Sequence, residues 1–202
     1  MNETLKRTFS GAVYVAIMWF GTFCFVLSFH ILFAVILLVC LYEMYKLRKG
    51  KTKILSFLYV LSPLLLVHFI KTELILIIFI LTWTFDTFAY LVGVKFGKHK
   101  IIPTVSPKKS WEGFVGGFIF TVIAAYLTVK YFPKIELNQA IAISLFLPFT
   151  ATIGDFIESY YKRKAGVKDS GNFIPGHGGM LDRMDAFTFT IPALYTYLSL
   201  IK

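Results

Sequence analysis

Three aspartates in the C-terminal half could do chemistry because they lie at the borders of long apolar stretches: Asp155, Asp182 and Asp185. A carboxylate at membrane depth is costly unless it is paired or functional. On a helix, Asp155, Ser159 and Lys162 follow one another at i, i+4 and i+7, so they share one face. A carboxylate, a hydroxyl and an ammonium group aligned in this way can hold a cation and a phosphate side by side. The alternative is a helix end that only reaches the membrane interface.

A second polar cluster has the sequence Gly-His-Gly-Gly-Met-Leu-Asp-Arg-Met-Asp over residues 176–185. Its glycines let the backbone approach a bound group closely and offer unhindered amide donors. Asp182 and Asp185 are three residues apart, which places them on one face at the start of a helix. Arg183 points elsewhere and could pair with a neighbouring carboxylate. The pattern predicts that the three aspartates converge at adjoining ends of two consecutive helices.

Hard oxygen ligands of this kind suit magnesium, which prefers one or two carboxylates together with water and substrate phosphates. A carboxylate-held divalent cation beside fixed basic side chains is what phosphoryl or nucleotidyl transfer demands, because both neutralise phosphate charge. Without the aspartates, the basic run would indicate only a cytoplasmic membrane anchor. The basic side chains next to the aspartates are Lys162, Arg163, Lys164 and Lys168.

Other motifs are weaker. Residues 93–98 are a near miss for a Walker loop, one residue short and without Ser or Thr after the lysine. Gly113 and Gly117 form a GxxxG pair that favours close helix packing over a binding site. Cys24 and Cys40 lie in apolar stretches without metal-ligand spacing, which is typical of buried small residues.

The elements that must position these residues are membrane helices. The chain has 202 residues, 57% of them apolar, and a mean hydropathy of +0.71. Its apolar stretches are each long enough to cross about 30 Å of hydrocarbon as a helix. The net charge of +10 is divided among short stretches between apolar segments, where it meets anionic headgroups. No basic face is interleaved with aromatic residues, so nucleic acid is not an expected partner.

We predict an all-α polytopic bundle of about seven transmembrane helices that forms one integral membrane domain over residues 1–202. The apolar stretch from Thr8 to Tyr45 is too long for one helix, and Ser28 and His30 divide it into two spans. No small-residue cleavage site follows the first span, which indicates a retained helix rather than a signal peptide. The other predicted spans are 54–70, which Pro63 interrupts, 74–94, 113–132, 139–159 and 185–201.

The distribution of Lys and Arg between the spans gives the orientation. Of the 21 basic residues, 17 lie on the side that includes the N-terminus and 4 on the other side. Cytoplasmic loops carry such an excess, so the N-terminus is predicted to be cytoplasmic. Two loops rich in polar residues, 97–112 and 160–183, lie on this side. Catalytic and binding residues are often found on loops that rigid elements hold in place.

One stretch carries a long pattern of fixed polar positions. Residues 159–185 read Ser-x-x-Lys-Arg-x4-Lys-Asp-x-Gly-x3-Pro-Gly-His-Gly-Gly-x-x-Asp-Arg-x-Asp. This pattern closely resembles that of the phosphatidate cytidylyltransferases, also called CDP-diglyceride synthases. A second similarity covers residues 86–90, 96–100 and 105–113, and a weaker one covers Tyr42 and Glu43. The resemblance extends over about residues 80–190, the expected catalytic half.

The resemblance implies a magnesium-dependent membrane enzyme that converts CTP and phosphatidate into CDP-diacylglycerol and pyrophosphate. It implies Asp155, Asp182 and Ser159 as metal-site residues, with Ser159 supporting a second cation. The other residues that it implies as catalytic are Asp185, Lys162, Arg163, Lys168, Asp169 and His177. Candidate substrate-binding residues are Ser106, Lys108, Lys109, Gly178, Gly179, Arg183 and Asp86.

The partners expected from this hypothesis are CTP, phosphatidic acid and the lipid bilayer, and two copies could form a homodimer. The expected location is the cytoplasmic (inner) cell membrane, with the active site facing the cytoplasm. Two alternatives stay open. One is a CTP-dependent lipid kinase of the polyprenol or phytol type, since such kinases resemble the same family at a low level. An ion-coupled transporter would explain carboxylates within the membrane, although the polar cluster is predicted at one face and no inverted repeat is evident.

Overall fold

The computed structural model describes residues 3–48 and 54–201, which form seven α-helices and no strand. The helices are α1 (Glu3–Phe23), α2 (Val26–Leu47), α3 (Ile54–Leu66), α4 (Thr72–Phe96), α5 (Trp111–Thr128), α6 (Leu137–Ala165) and α7 (Leu181–Leu200). The predicted all-α class is confirmed. Four helices, α2, α4, α5 and α6, are long and apolar enough to cross a bilayer, as expected of an integral membrane protein. That all seven cross it stays a prediction.

The break between α1 and α2 lies at Cys24 and Phe25, so its predicted position at Ser28 and His30 is wrong. Ser28 belongs to the first turn of α2, where its hydroxyl accepts a hydrogen bond from the Phe25 amide (3.2 Å). Ser28 therefore does not interrupt the helix but satisfies the amide of Phe25, the residue just before the helix. His30 lies within α2 and contacts His68 across the bundle, with 2.7 Å between the two Nδ1 atoms.

The antiparallel pair α4 and α5 packs through glycines. A Cβ added at Gly113 would lie 2.5 Å from the Ala89 carbonyl oxygen, and one at Gly117 would lie 2.8 Å from the carbonyl oxygen of Phe85. Only glycine permits this backbone approach. The prediction that the GxxxG pair is a packing surface is therefore confirmed.

Helices α6 and α7 approach as closely. A Cβ at Gly154 would lie 2.1 Å from the Asp185 carbonyl oxygen, so the backbones touch where Asp155 and Asp185 reside. Tyr59 of α3 links the two helices, because its hydroxyl donates to the Gly154 carbonyl of α6 (2.9 Å) and accepts from Thr188 of α7 (2.8 Å).

The borders of these two helices differ from the sequence prediction. Helix α6 continues to Ala165, six residues beyond the predicted end, and places Lys162 in its last turns rather than in a loop. Helix α7 begins at Leu181, four residues before the predicted start, so Asp182 is helical. The connecting loop is correspondingly short. Part of the basic stretch 46–53 used for the orientation, residues 49–53, lies outside the described residues.

Candidate active site

A cavity of about 650 Å³ lies between α1, α4, α6 and α7, at the end of the bundle where α6 finishes and α7 begins. Its two ends differ in chemistry. The polar end is lined by Asp86, Lys109, Asp155, His177, Asp182, Arg183 and Asp185. The apolar part is lined by residues of α1 and α4, including Val15, Met18, Trp19, Leu76, Phe79, Ile80 and Trp83. The cavity therefore suits an amphiphile, with a charged group at the polar end and hydrocarbon along the two helices.

Three carboxylates converge at the polar end. One oxygen each from Asp155, Glu158 and Asp185 lie within 4.8 Å of one another. Asp155 and Glu158 are one helical turn apart on α6, and the crossing at Gly154 brings Asp185 of α7 alongside them. A cluster of carboxylate oxygens is the donor set of a hard divalent cation such as magnesium. These residues could hold a metal ion.

Glu158 has the most unusual environment of the three. Its side chain is fully buried, and neither carboxylate oxygen accepts a hydrogen bond from the residues that the structure describes. The Lys162 ammonium group forms an ion pair with one of these oxygens. Lys162 compensates Glu158 only in part, because it also pairs with Asp182. A divalent ion close by would compensate the buried carboxylates further. The donor set thus fits a divalent ion.

Asp182 is held by four polar contacts. Its Oδ1 accepts from the Lys162 ammonium group (2.7 Å), and its Oδ2 accepts from the amides of Ser170 (2.8 Å) and Gly179 (2.8 Å). The Ser170 hydroxyl lies 3.0 Å from the same Oδ2, although its one proton is shared with the Glu43 carboxylate. Asp182 is therefore fixed next to the cluster, with Lys162 bridging it to Glu158. A metal ion on Asp182 would compete with Lys162 for Oδ1.

Lys109 enters the site from the loop between α4 and α5. Glu112 closes this loop by accepting from the Lys98 amide (3.1 Å) and from His99 Nδ1 (2.6 Å). Lys109 forms an ion pair with Asp155 and lies 5.6 Å from the Phe156 ring centre. Burial alone would lower the pKa of Lys109, but the attraction of the Asp155 carboxylate outweighs it and raises that pKa above its ordinary value.

The glycine-rich loop before α7 folds on itself. Gly176 and Gly178 have φ of 78° and 86°, a region that favours glycine. The Ile174 amide donates to the Gly178 carbonyl (2.9 Å), and His177 Nδ1 lies 3.1 Å from the Ser10 hydroxyl of α1. The Gly179 amide, which the sequence offers as a substrate donor, is directed to Asp182.

The structure places the remaining predicted residues unevenly. Asp86 and Arg183 line the cavity, and Ser159 donates to Asp155 across 3.4 Å. Arg183 donates to the His177 carbonyl (2.8 Å), a backbone partner instead of the expected carboxylate. Nine predicted residues are not among those that line the cavity. Lys162 and Gly179 bond to Asp182, which does line it, Ser159 bonds to Asp155, and Gly178 belongs to the loop before α7. The other five lie further out: Arg163, Lys168 and Asp169 are exposed around the end of α6, and Ser106 and Lys108 lie in a turn of the 97–110 loop.

Sequence reasoning missed two carboxylates. Glu158 stands three residues after Asp155 on the same helical face, a spacing that was sufficient to predict it. Glu43 is buried in α2 and accepts hydrogen bonds from the start of α7. A glutamate inside an apolar stretch is a signal of its own, but its partner is distant in the chain and could not be inferred.

Comparison with known proteins agrees with the geometry. The sequence profile of the cytidylyltransferase family matches residues 54–201. Similar proteins include the phosphatidate cytidylyltransferase of Thermotoga maritima, 45% identical over 127 residues, which are 60% of this chain and 47% of that protein. The phosphatidate cytidylyltransferase of Staphylococcus aureus is 46% identical over 122 residues, 59% of this chain and 46% of that protein. The match thus spans about half the length of these relatives. Because the profile covers most of the described chain, the chain belongs to the cytidylyltransferase family.

Proposed function

We propose that this protein is a phosphatidate cytidylyltransferase, which joins CTP to phosphatidate and releases CDP-diacylglycerol and pyrophosphate. The observation that carries the proposal is the cavity with two chemically different ends. Acidic and basic side chains meet at one end, and apolar residues, most of them from α1 and α4, form most of the remaining wall. The names of the similar proteins point to the same reaction.

The apolar wall supports a lipid substrate. Met18 and Trp19 of α1 face the cavity opposite Phe79 and Trp83 of α4. Acyl chains along this wall would replace contact with the surrounding bilayer by contact with the protein at little cost, since both are apolar. The phosphate of the lipid would then lie at the polar end, close to Lys109.

The acidic cluster supports a magnesium cofactor. We assign the ion to Asp155, with Asp185, Glu158 and Asp182 as the neighbouring carboxylates and Ser159 as a further oxygen donor for a second cation. When bound, magnesium would neutralise the nucleotide phosphates and help the pyrophosphate to leave.

The side chains of the protein would bind and align the substrate phosphates. Lys109, Lys162 and Arg183 provide fixed cations at the polar end for the phosphates of both substrates. A phosphate oxygen of phosphatidate forms the new bond to the α-phosphorus of CTP, while the bond from that phosphorus to the bridging oxygen of pyrophosphate breaks. The attacking oxygen is already anionic near neutral pH, so no strong general base is required, and alignment dominates the rate.

The orientation follows from the nucleotide. CTP is cytosolic, so the end of the bundle that carries the 97–110 loop and the loop before α7 should face the cytoplasm, in agreement with the excess of basic residues there. In a background with the exposed Cys24 replaced by Ser, a cysteine at Lys164 should react with an impermeant reagent only from the cytoplasm. A cysteine at Lys134 should react only from the opposite side. Labelling of Lys164 from outside would contradict the orientation.

The reaction is tested with labelled nucleotide. Purified protein is incubated with phosphatidate, magnesium and CTP labelled at the α- or the γ-phosphate. We expect the α-label in the lipid and the γ-label in pyrophosphate. A lipid kinase would put the γ-label into the lipid and release CDP, and that result would end the cytidylyltransferase proposal. Asp155→Asn protein serves as the control for contaminating activity.

A further inference from the structure

Glu43 of α2 is a buried carboxylate to which neither the acidic cluster nor the proposed chemistry assigns a role. We propose that Glu43 is a positioning residue, which holds the start of α7 and the adjoining loop so that Asp182 faces the site. Only the role of Asp182 in the reaction depends on the proposed function. The positioning itself is independent of it.

Three hydrogen bonds converge on Glu43, whose side chain is only 4% exposed. Its Oε1 accepts from the Met180 amide (3.0 Å), and its Oε2 accepts from the Leu181 amide (2.8 Å) and the Ser170 hydroxyl (2.9 Å). Every donor belongs to the loop before α7 or to the first residues of that helix, and each is more than 120 residues away in the chain.

The start of α7 requires such a partner. The first amides of a helix have no carbonyl partner within the helix, and a side chain usually satisfies some of them. The residue before α7 is Met180, which forms no side-chain cap. Glu43 takes that place from another helix, and its negative charge is also favourable at the positive end of the α7 dipole.

The loop is built closely around this carboxylate. A Cβ added at Gly171 or at Gly179 would lie 2.5 Å from a Glu43 oxygen, so larger residues could not occupy these positions without displacing it. Two glycines this close to one side chain show that the loop is fitted to Glu43.

Ser170 connects Glu43 to Asp182. Its hydroxyl lies 2.9 Å from Glu43 Oε2 and 3.0 Å from Asp182 Oδ2, and its amide donates to the same Asp182 oxygen. Loss of Glu43 should therefore release Ser170 and, through it, Asp182. The anchor comes from α2, which lies outside the segment 54–201 that the family profile matches.

The experiment compares amide hydrogen exchange in purified wild-type and Glu43→Gln protein at single-residue resolution. Glutamine keeps the shape but turns an N–H₂ group toward the amide and hydroxyl donors. The decisive amides are those of Ser170 and Gly179, because they bond to Asp182 and not to Glu43. Mn²⁺ binding, followed by electron paramagnetic resonance without substrate, is the second measurement. Glu73→Gln, at the opposite end of the bundle, is the matched control.

We expect faster exchange at Ser170 and Gly179 as well as at Met180 and Leu181, and an affinity for Mn²⁺ reduced about 10- to 100-fold, as for other residues that orient a metal ligand. Glu73→Gln should change neither. Faster exchange confined to Met180 and Leu181, with unchanged Mn²⁺ affinity, would show a local helix cap and overturn the proposal. If the wild-type protein binds no Mn²⁺, the proposed metal site fails, while the exchange comparison still decides the positioning.

Ser170→Ala gives a second route if Glu43→Gln does not fold. It removes the connecting hydroxyl and leaves the bonds from Glu43 to Met180 and Leu181 intact. We expect faster exchange at Gly179 and weaker Mn²⁺ binding with little change at Leu181. If Ser170→Ala left both the exchange at Gly179 and the Mn²⁺ affinity unchanged, the positioning role of Glu43 would be overturned.

Discussion

The two ends of the bundle each carry a lysine paired with a carboxylate, and the two pairs differ strongly in how exposed their side chains are. The end that carries the carboxylate cluster is called the inner end, after the proposed orientation, and the opposite one the outer end. At the outer end, Lys134 pairs with Glu73 at 2.9 Å, with side chains 81% and 27% exposed. At the inner end, Lys162 pairs with Asp182 at 2.7 Å, with side chains only 11% and 9% exposed. Among the described residues the outer pair has no further ion-pair partner, whereas Lys162 also contacts Glu158.

The difference teaches what burial does to the same two functional groups. An exposed pair is screened by water and contributes about 0–1 kcal/mol. A buried pair costs desolvation of both ions, and removing one partner leaves a charge that nothing compensates. Here the costly pair lies beside a cavity and a carboxylate cluster, where its fixed charges can act on a bound group. The outer pair needs no function.

Among the variants that test this comparison of the two pairs, Asp182→Asn should have the largest effect. Asparagine keeps a carbonyl for the Ser170 and Gly179 amides but removes the charge that faces Lys162. We expect turnover to fall about 10²- to 10³-fold, the loss typical of a preorganised charge in an active site. The outer counterpart, Glu73→Gln, should have normal turnover. Near-normal turnover of folded Asp182→Asn protein would show that Asp182 serves only as a helix cap.

Gly154→Ala should come next. The added methyl group would collide with the Asp185 carbonyl oxygen and push α6 away from α7, which separates Asp155 from Asp185. Overpacking of this kind costs about 1–3 kcal/mol of stability, and turnover should fall with it. Ile153→Ala, an exposed neighbour on α6, is the control. Thermal unfolding in detergent and turnover are measured together, and wild-type values for both would contradict the close crossing.

Lys109→Gln should have an intermediate effect, because it removes one of several cations at the polar end. We expect kcat/KM to fall about 10- to 100-fold at pH 7, and Lys109→Arg to recover part of it. The pKa of Lys109 in the folded protein is raised above 10.5, so its ion pair with Asp155 contributes stability below pH 10.5 and loses it only as the pH rises through the higher folded value. If the difference in stability between wild-type and Lys109→Gln protein disappeared before the pH had risen to 9, this account of Lys109 would be contradicted.

The smallest effect should come from Lys134→Met at the outer end. The exposed pair with Glu73 contributes at most about 1 kcal/mol, so stability should change little and turnover should not change. Turnover and thermal unfolding of this variant set the baseline for the inner-end variants. A large loss of turnover would mean that the two ends are coupled and that the comparison is invalid.

The sequence predicted much of the fold for a physical reason. Membrane helices are set by the length of apolar stretches, and these gave seven helices. The predicted helix borders were less accurate, because helix ends depend on hydrogen bonds of a few residues that hydropathy does not reveal. Ser28 lies in the first turn of α2 instead of breaking the helix, and α6 continues through Lys162 into polar last turns.

The site was predicted only in part, since hydropathy says nothing of distant contacts. Asp155 and Asp185 line the same cavity, as the sequence indicated, while Glu158 replaces Asp182 in the tightest cluster. Glu43 could not be assigned, because its three donors lie more than 120 residues away in the chain.

The most direct test of the central claim, that carboxylates at the inner end hold a divalent cation for nucleotidyl transfer, is Asp155→Asn. Asp155 belongs to the carboxylate cluster, pairs with Lys109 and accepts from Ser159. We predict that the purified, folded variant loses turnover about 10³-fold or more with CTP and phosphatidate and no longer binds Mn²⁺ tightly. Turnover within a few-fold of wild type at saturating magnesium, with unchanged Mn²⁺ affinity, would contradict the claim.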